Sequence, residues 1–127
     1  MNILSKDRKI RILYALVEGS SIRSIERQTY VHRDTICRLL RATGERCQNI
    51  LDEKMQGISL NQIQIDEVWG FVGKKDRHLT PQDGPEVGSQ FVIVGLDADT
   101  KLIPSFVIGK RNKETALALM QDLDRKV

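Results

Sequence analysis

The sequence predicts a chain of the α/β (α+β) class, with helices in its first part and a small sheet followed by a helix in the rest. Up to about residue 57, apolar residues recur three and four positions apart, the spacing of amphipathic helices. Beyond that point they alternate with polar residues or form short apolar runs, as in strands. Residues 1–57 hold eleven Lys and Arg against seven Asp and Glu, whereas residues 58–127 hold nine against ten. We therefore expect two domains, 1–57 and 58–127, of which the first is basic.

Three helices are expected in the first domain. The first spans about residues 6–18, begins at a Ser5 cap and ends at Gly19. Its apolar stripe consists of Ile10, Leu13, Tyr14 and Val17. The second helix covers about 21–28, with Ile22 and Ile25 on one face. The third begins near His32, and its inner side is formed by Ile36, Leu39 and Leu40. It can continue past Gly44 to about Gly57, because apolar residues recur along that stretch.

The second and third helices, separated by Thr29-Tyr30-Val31, have the spacing of a helix-turn-helix. In that motif the third helix enters the major groove of DNA. Its outward positions would then face DNA, and they are Arg33, Asp34, Cys37, Arg38 and Arg41. Arginine suits this role because its planar guanidinium group binds guanine edges or phosphates through two hydrogen bonds. The alternative is a three-helix core whose arginines only contact solvent.

The second domain is expected to contain three antiparallel strands and then a helix. The first strand runs through 62–72, and a polar loop, 73–89, leads to the apolar strand 91–96. Residues 97–100 form a turn, and the third strand spans 102–108, where Pro104 favours a sheet edge. Asn112 can cap the last helix. The stripe of that helix consists of Ala116, Met120, Leu123 and Val127.

Asp66 is the candidate metal ligand and catalytic carboxylate. It lies in the middle of the first strand, where an acid is desolvated unless it binds a partner or a cation. Neighbouring side chains of a strand point to opposite faces, so Glu67 cannot share its site. A second ligand must come from elsewhere in the chain. Asp97 is the nearest candidate, although its position and its parity in the simplest register favour a role in the turn.

Several classes of protein and site are disfavoured by composition. No apolar run approaches the roughly 20 residues of a membrane span, and charged residues follow Met1–Leu4, unlike in a signal peptide. A cytoplasmic, nucleoid-associated location is expected. With only His32, His78, Cys37 and Cys47 available and no CxxC pair, a zinc site has little support.

Two segments resemble bacterial DDE transposases of the insertion sequence one type. The first is Ile65-Asp66-Glu67-Val68-Trp69-Gly70-Phe71-Val72, and the second is Gly95-Leu96-Asp97-Ala98-Asp99-Thr100-Lys101-Leu102-Ile103. The resemblance covers about residues 20–127. It implies an amino-terminal helix-turn-helix and a partial ribonuclease-H-like domain that cuts and joins DNA at transposon ends. It makes Asp66 the first acid of a DDE triad that binds two Mg²⁺ or Mn²⁺ ions.

The resemblance also indicates that this site is incomplete. The second and third acids of the family lie beyond the position of Val127, so we expect weak or absent metal binding and no catalysis by this chain alone. The expected partner is double-stranded DNA at transposon ends, together with a second copy of the chain or a full-length transposase. Two functions remain open, a transposase-related DNA-binding protein and a non-catalytic regulator or inhibitor of transposition.

Overall fold

Three helices form the amino-terminal part of the chain in the computed structural model, which describes residues 3–127. They are α1 (Lys6–Val17), α2 (Ile22–Thr29) and α3 (Arg33–Lys54). The rest contains β1 (Ile63–Val72), a short 3-10 turn (Asp76–His78), β2 (Gly88–Asp97), β3 (Ser105–Gly109) and α4 (Lys113–Lys126). The predicted mixture of helices and a three-stranded antiparallel sheet is confirmed. The chain contains two compact units, and the boundary between them lies between Ile50 and Leu51, within α3. The domain boundary predicted from the sequence lies after Gly57.

The core of the first unit is built from one aliphatic residue of each helix and one of the connection between α2 and α3. The buried residues are Ile12, Ile25, Val31 and Ile36. Half-buried apolar side chains, including Ala15 and Leu16 of α1, pack around them. The helix predicted at 6–18 is present, but most of the stripe that marks it in the sequence is exposed, as Tyr14 and Val17 are 69% and 84% accessible. The buried face of α1 is therefore the one that carries Ile12.

Short polar side chains fix where these helices begin. The Ser5 hydroxyl accepts a hydrogen bond from the amide of Arg8, and the Ser21 hydroxyl accepts one from Ser24. Such N-caps satisfy amides that have no partner within the helix. At the other end of α2, Tyr30 adopts a left-handed backbone with φ of 55°. A non-glycine residue seldom takes that conformation, so the tight α2–α3 connection forces it.

The sheet of the second unit has the order β1-β2-β3, with both pairs antiparallel. Asp66 is opposite Val94, and Ile63 is opposite Asp97. The third strand starts at Ser105, so the predicted start at Leu102 was wrong and Pro104 precedes the strand. The backbone between the strands instead makes a turn in which the amide of Asp97 donates to the carbonyl of Leu102.

Helix α4 packs on one face of this sheet. Leu119 and Leu123 are buried against Ile93, and half-buried Ile63, Phe91 and Val107 surround them. Two residues of the predicted α4 stripe, Met120 and Val127, are instead about half exposed. The face that carries Asp66 and Val94 is the one that α4 leaves uncovered, because side chains alternate along each strand. Val68 and Ile108, which also lie there, are 63% and 66% exposed.

A buried ionic network joins both ends of the second unit. Lys126 is fully buried, and its ammonium group lies 2.8 Å from Asp122 and 3.1 Å from Asp52. It also donates to the carbonyl of Pro104. Asp122 in turn accepts hydrogen bonds from the Ser105 hydroxyl and the Arg125 guanidinium group. The Asp122 side chain is therefore the centre of this network.

Candidate nucleic-acid interface and metal site

The five positions predicted to face DNA are all exposed on the amino-terminal half of α3. With about 3.6 residues per turn, Asp34, Arg38 and Arg41 lie on the side of the helix opposite the buried Ile36. Cys37 lies beside them, and Arg33 lies at the edge of this face, one turn before Cys37. We call these five residues the α3 outer face. It carries three guanidinium groups and one carboxylate.

Two side chains hold the start of α3. The Glu26 carboxylate accepts a hydrogen bond of 2.9 Å from the Arg33 amide, and the His32 imidazole Nδ1 accepts one of 3.2 Å from the Asp34 amide. Both amides belong to the first turn of the helix, where no backbone carbonyl is available. Because Glu26 belongs to α2, its bond also sets where α3 begins relative to α2. The α3 outer face is thus presented from a defined position.

The arginines of the α3 outer face are all exposed to solvent. Arg38 donates a hydrogen bond of 3.1 Å to the Thr35 hydroxyl on its own helix, a contact that a phosphate or a base can replace. Asp34 lies 3.5 Å from the His32 ring and carries the negative charge of this face. An anionic ligand would therefore be attracted to the arginine side of α3.

Asp66, the predicted metal ligand, is exposed on the sheet face that α4 does not cover. The expected desolvation of this acid is therefore absent. Its Oδ1 accepts a hydrogen bond of 2.8 Å from the backbone amide of Glu67. The carboxylate of Glu67 lies on the α4 side of the sheet, as predicted, and is 3.1 Å from the Arg111 guanidinium group.

The described residues do not form a donor set for Mg²⁺ or Mn²⁺. Across residues 3–127 no group of three or more His, Cys, Asp or Glu side chains could hold a metal ion. Asp66 lies beside Gln64, Val68 and Val94 on its face, and none of these offers a second carboxylate. A two-metal site needs several carboxylates around ions about 4 Å apart. The lone carboxylate of Asp66 does not fit that requirement.

Asp97 has the structural role that the sequence favoured. Its carboxylate is buried and accepts hydrogen bonds of 2.9 Å and 2.6 Å from the amide and the hydroxyl of Thr100. These bonds hold the pKa of Asp97 below its usual value. Its side chain lies on the sheet face opposite Asp66, because Asp66 pairs with Val94, three residues away. Asp97 and Asp66 therefore cannot share an ion.

The sequence analysis did not identify two features near these sites. Glu26 was not identified as the side chain that positions α3. The buried Lys126 was also missed, although its spacing of four residues from Asp122 is that of a helical ion pair.

Within residues 3–127, none of the helices is long and apolar enough to cross a membrane. Comparison of the whole chain with known proteins gave no match. It matches no protein-family model, no curated protein sequence and no solved structure.

Proposed function

We propose that this chain is a transposase-related DNA-binding protein and that the α3 outer face binds the major groove of double-stranded DNA. The observation that carries the proposal is the outward placement of Arg38 and Arg41, with Arg33 exposed at the start of the helix, which Glu26 fixes. The three-residue connection between α2 and α3 supports the assignment of a helix-turn-helix. The resemblance of the Asp66 and Asp97 segments to insertion sequence one transposases supports transposon ends as the target.

Binding is tested by titrating a fluorescently labelled duplex with the full chain and its variants. Replacing Arg38 by Ala should weaken duplex affinity by about 1–3 kcal/mol if this arginine contacts a base, since that is the usual value of such a contact. Wild-type affinity should fall steeply with salt, because counterions are released when arginines neutralise phosphates.

Lys54→Ala is the matched control. Lys54 is exposed near the end of the same helix, in the second unit and thirteen residues beyond Arg41, and its replacement removes the same positive charge. If Lys54→Ala and Arg38→Ala weaken binding equally, the affinity reflects net charge alone and the α3 outer face is not the reading surface. Absent or salt-independent binding of duplex DNA would remove the proposal altogether.

The lone carboxylate of Asp66 favours the regulator over the catalyst as the function of this polypeptide. A regulator occupies transposon ends, or a promoter, without cutting them, and needs only the DNA-binding unit. The two functions are separated by a nicking and strand-transfer assay on end oligonucleotides with added Mg²⁺ or Mn²⁺. We expect no product. Metal-dependent product that disappears in Asp66→Asn would instead establish a catalytic protein.

A further inference from the structure

Two aromatic side chains are exposed side by side at the end of β1. Trp69 and Phe71 are 51% and 47% accessible, and their ring centroids are 5.9 Å apart. They lie two residues apart on one strand, so both project from the same face of the sheet. The hydrophobic core of this unit is formed without them. About half of each aromatic surface is therefore free to contact a ligand.

The indole ring of Trp69 is held in place although it is exposed. Its Nε1 donates a hydrogen bond of 3.0 Å to the Ser89 hydroxyl, and that hydroxyl donates one of 2.6 Å to Asp76. A second oxygen of Asp76 accepts from the Ser89 amide, and the Lys110 ammonium group donates to the Ser89 carbonyl. A ring fixed in this way loses little conformational entropy when a ligand stacks on it.

Positive charges lie beside the aromatic pair. The Lys75 ammonium group is 5.9 Å from the centroid of the Phe71 ring. The Arg111 guanidinium group is 72% exposed and contacts Glu67, which precedes Trp69 by two residues on the same face. Flat rings with cations next to them match the alternation of bases and phosphates in a nucleic-acid strand.

From this geometry we propose that Trp69 and Phe71 form a stacking platform for unpaired bases of a DNA strand, with Lys75 and Arg111 contacting its phosphates. Such bases occur in single-stranded DNA and at frayed duplex ends. The platform would act independently of duplex binding by α3. It has no preference for a base sequence, because every base offers a π face to an aromatic ring.

The experiment uses the intrinsic fluorescence of the protein. Trp69 is the only tryptophan of the chain, so its emission reports on the platform directly. Titration of the full chain with an unlabelled oligothymidylate at low salt should quench this emission to saturation. An abasic oligonucleotide of equal length has the same phosphates and no bases. It should quench far less.

Three variants test which residues bind the oligothymidylate. Phe71→Leu keeps the tryptophan reporter and should weaken oligothymidylate binding roughly tenfold to a hundredfold, the usual effect of losing one stacked base. Trp69→Leu should weaken binding similarly, measured by the anisotropy of a labelled oligothymidylate. Tyr14→Leu is the control, because Tyr14 is an exposed aromatic residue of the other unit. It should leave the affinity unchanged.

Three results would each contradict the stacking platform. The abasic strand could quench Trp69 emission as strongly as the oligothymidylate, or a folded Phe71→Leu protein could bind oligothymidylate as tightly as wild type. Trp69 emission could also change with the concentration of the protein instead of that of the DNA. The last result means that a second copy covers the aromatic pair. Arg38→Ala separates this proposal from duplex binding, because it should leave quenching by oligothymidylate intact.

Discussion

Protonation of Asp122 should remove a measurable part of the stability of the second unit. Burial raises the pKa of this carboxyl, but hydrogen bonds from Arg125, Lys126 and Ser105 outweigh burial and lower the pKa from 3.8 to about 2. At about 1.4 kcal/mol per pH unit, this difference corresponds to about 2 kcal/mol of stability. The side chain is 23% exposed, so solvent screening reduces the figure only in part.

The lowered pKa of Asp122 in the folded chain means that the stability of the second unit decreases as the pH falls. Above about pH 5 both the folded and the unfolded chain carry the Asp122 anion, and its ion pairs with Lys126 and Arg125 stabilise the fold in full. As the pH falls further the unfolded chain takes up the proton first, so the stabilisation decreases. Roughly half of it is lost by pH 3, and most by pH 2.

The assay is urea unfolding followed by Trp69 emission from pH 6 to pH 2, on wild type and on Asp122→Asn. At neutral pH the variant should be less stable by about 2–3 kcal/mol, because the buried ammonium group of Lys126 loses its nearest partner and keeps Asp52. The difference in unfolding free energy between wild type and Asp122→Asn should decrease by about 2 kcal/mol towards pH 2, because Asp122 of wild type is then neutral as well. Other acids with a lowered pKa, such as Asp76 and Asp97, are common to both proteins and cancel in the difference.

Asp124→Asn provides the control, because Asp124 lies on the same helix and is exposed. It should leave the unfolding free energy and its pH dependence close to those of wild type. A difference in unfolding free energy between wild type and Asp122→Asn that stays constant from pH 6 to pH 2 would refute the role of the Asp122 ion pairs. The same would follow if the difference between wild type and Asp124→Asn changed with pH in the same way.

Two further substitutions test packing and capping. A Cβ atom added to Gly95 would lie 3.1 Å from two carbons of Leu123. Gly95→Val should therefore lower the free energy of unfolding of the second unit in urea by about 1–3 kcal/mol. Gly44→Ala is the control and should not lower the stability of the chain, because a Cβ atom at Gly44 would have no atom within 4 Å. Equal effects of the two would contradict close α4 packing. Glu26→Ala should lower the stability of the first unit by about 1 kcal/mol in thermal unfolding, because the Arg33 amide loses its partner. An unchanged transition would mean that this bond does not stabilise the helix start.

The elements of the fold were predictable where the period of the sequence is unambiguous. The alternation around Asp66 and the apolar run of β2 are each typical of a strand, and both strands were found. The bounds of β1 were nearly correct, whereas β2 begins at Gly88, three residues before the predicted start. The buried face of α1 was not predictable, because that helix has two apolar stripes. The stripe with Tyr14 and Val17 is longer, but the stripe with Ile12 is the one that packs on α2 and α3. Only tertiary packing decides between them.

The candidate sites were predictable to a similar degree. The exposure of Arg38 and Arg41 follows from the helical period once Ile36 is placed inside, so the α3 outer face could be derived. The environment of Asp66 could not, because desolvation depends on which sheet face α4 covers and on what lies next to β1. The burial of Lys126 also escaped, because a charged residue near a helix end is normally solvated.

The bond between Asp66 and the amide of Glu67 has a consequence for the outer edge of β1. Gln62 directs its carbonyl to Ala98, so the alternate residues 63, 65, 67, 69 and 71 direct their amides away from β2. Of these five amides, the one at Glu67 is occupied by the Asp66 side chain. Another strand that pairs through this amide must first break its bond to the Asp66 carboxylate. The Asp66 side chain therefore opposes the addition of a further strand at the outer edge of β1.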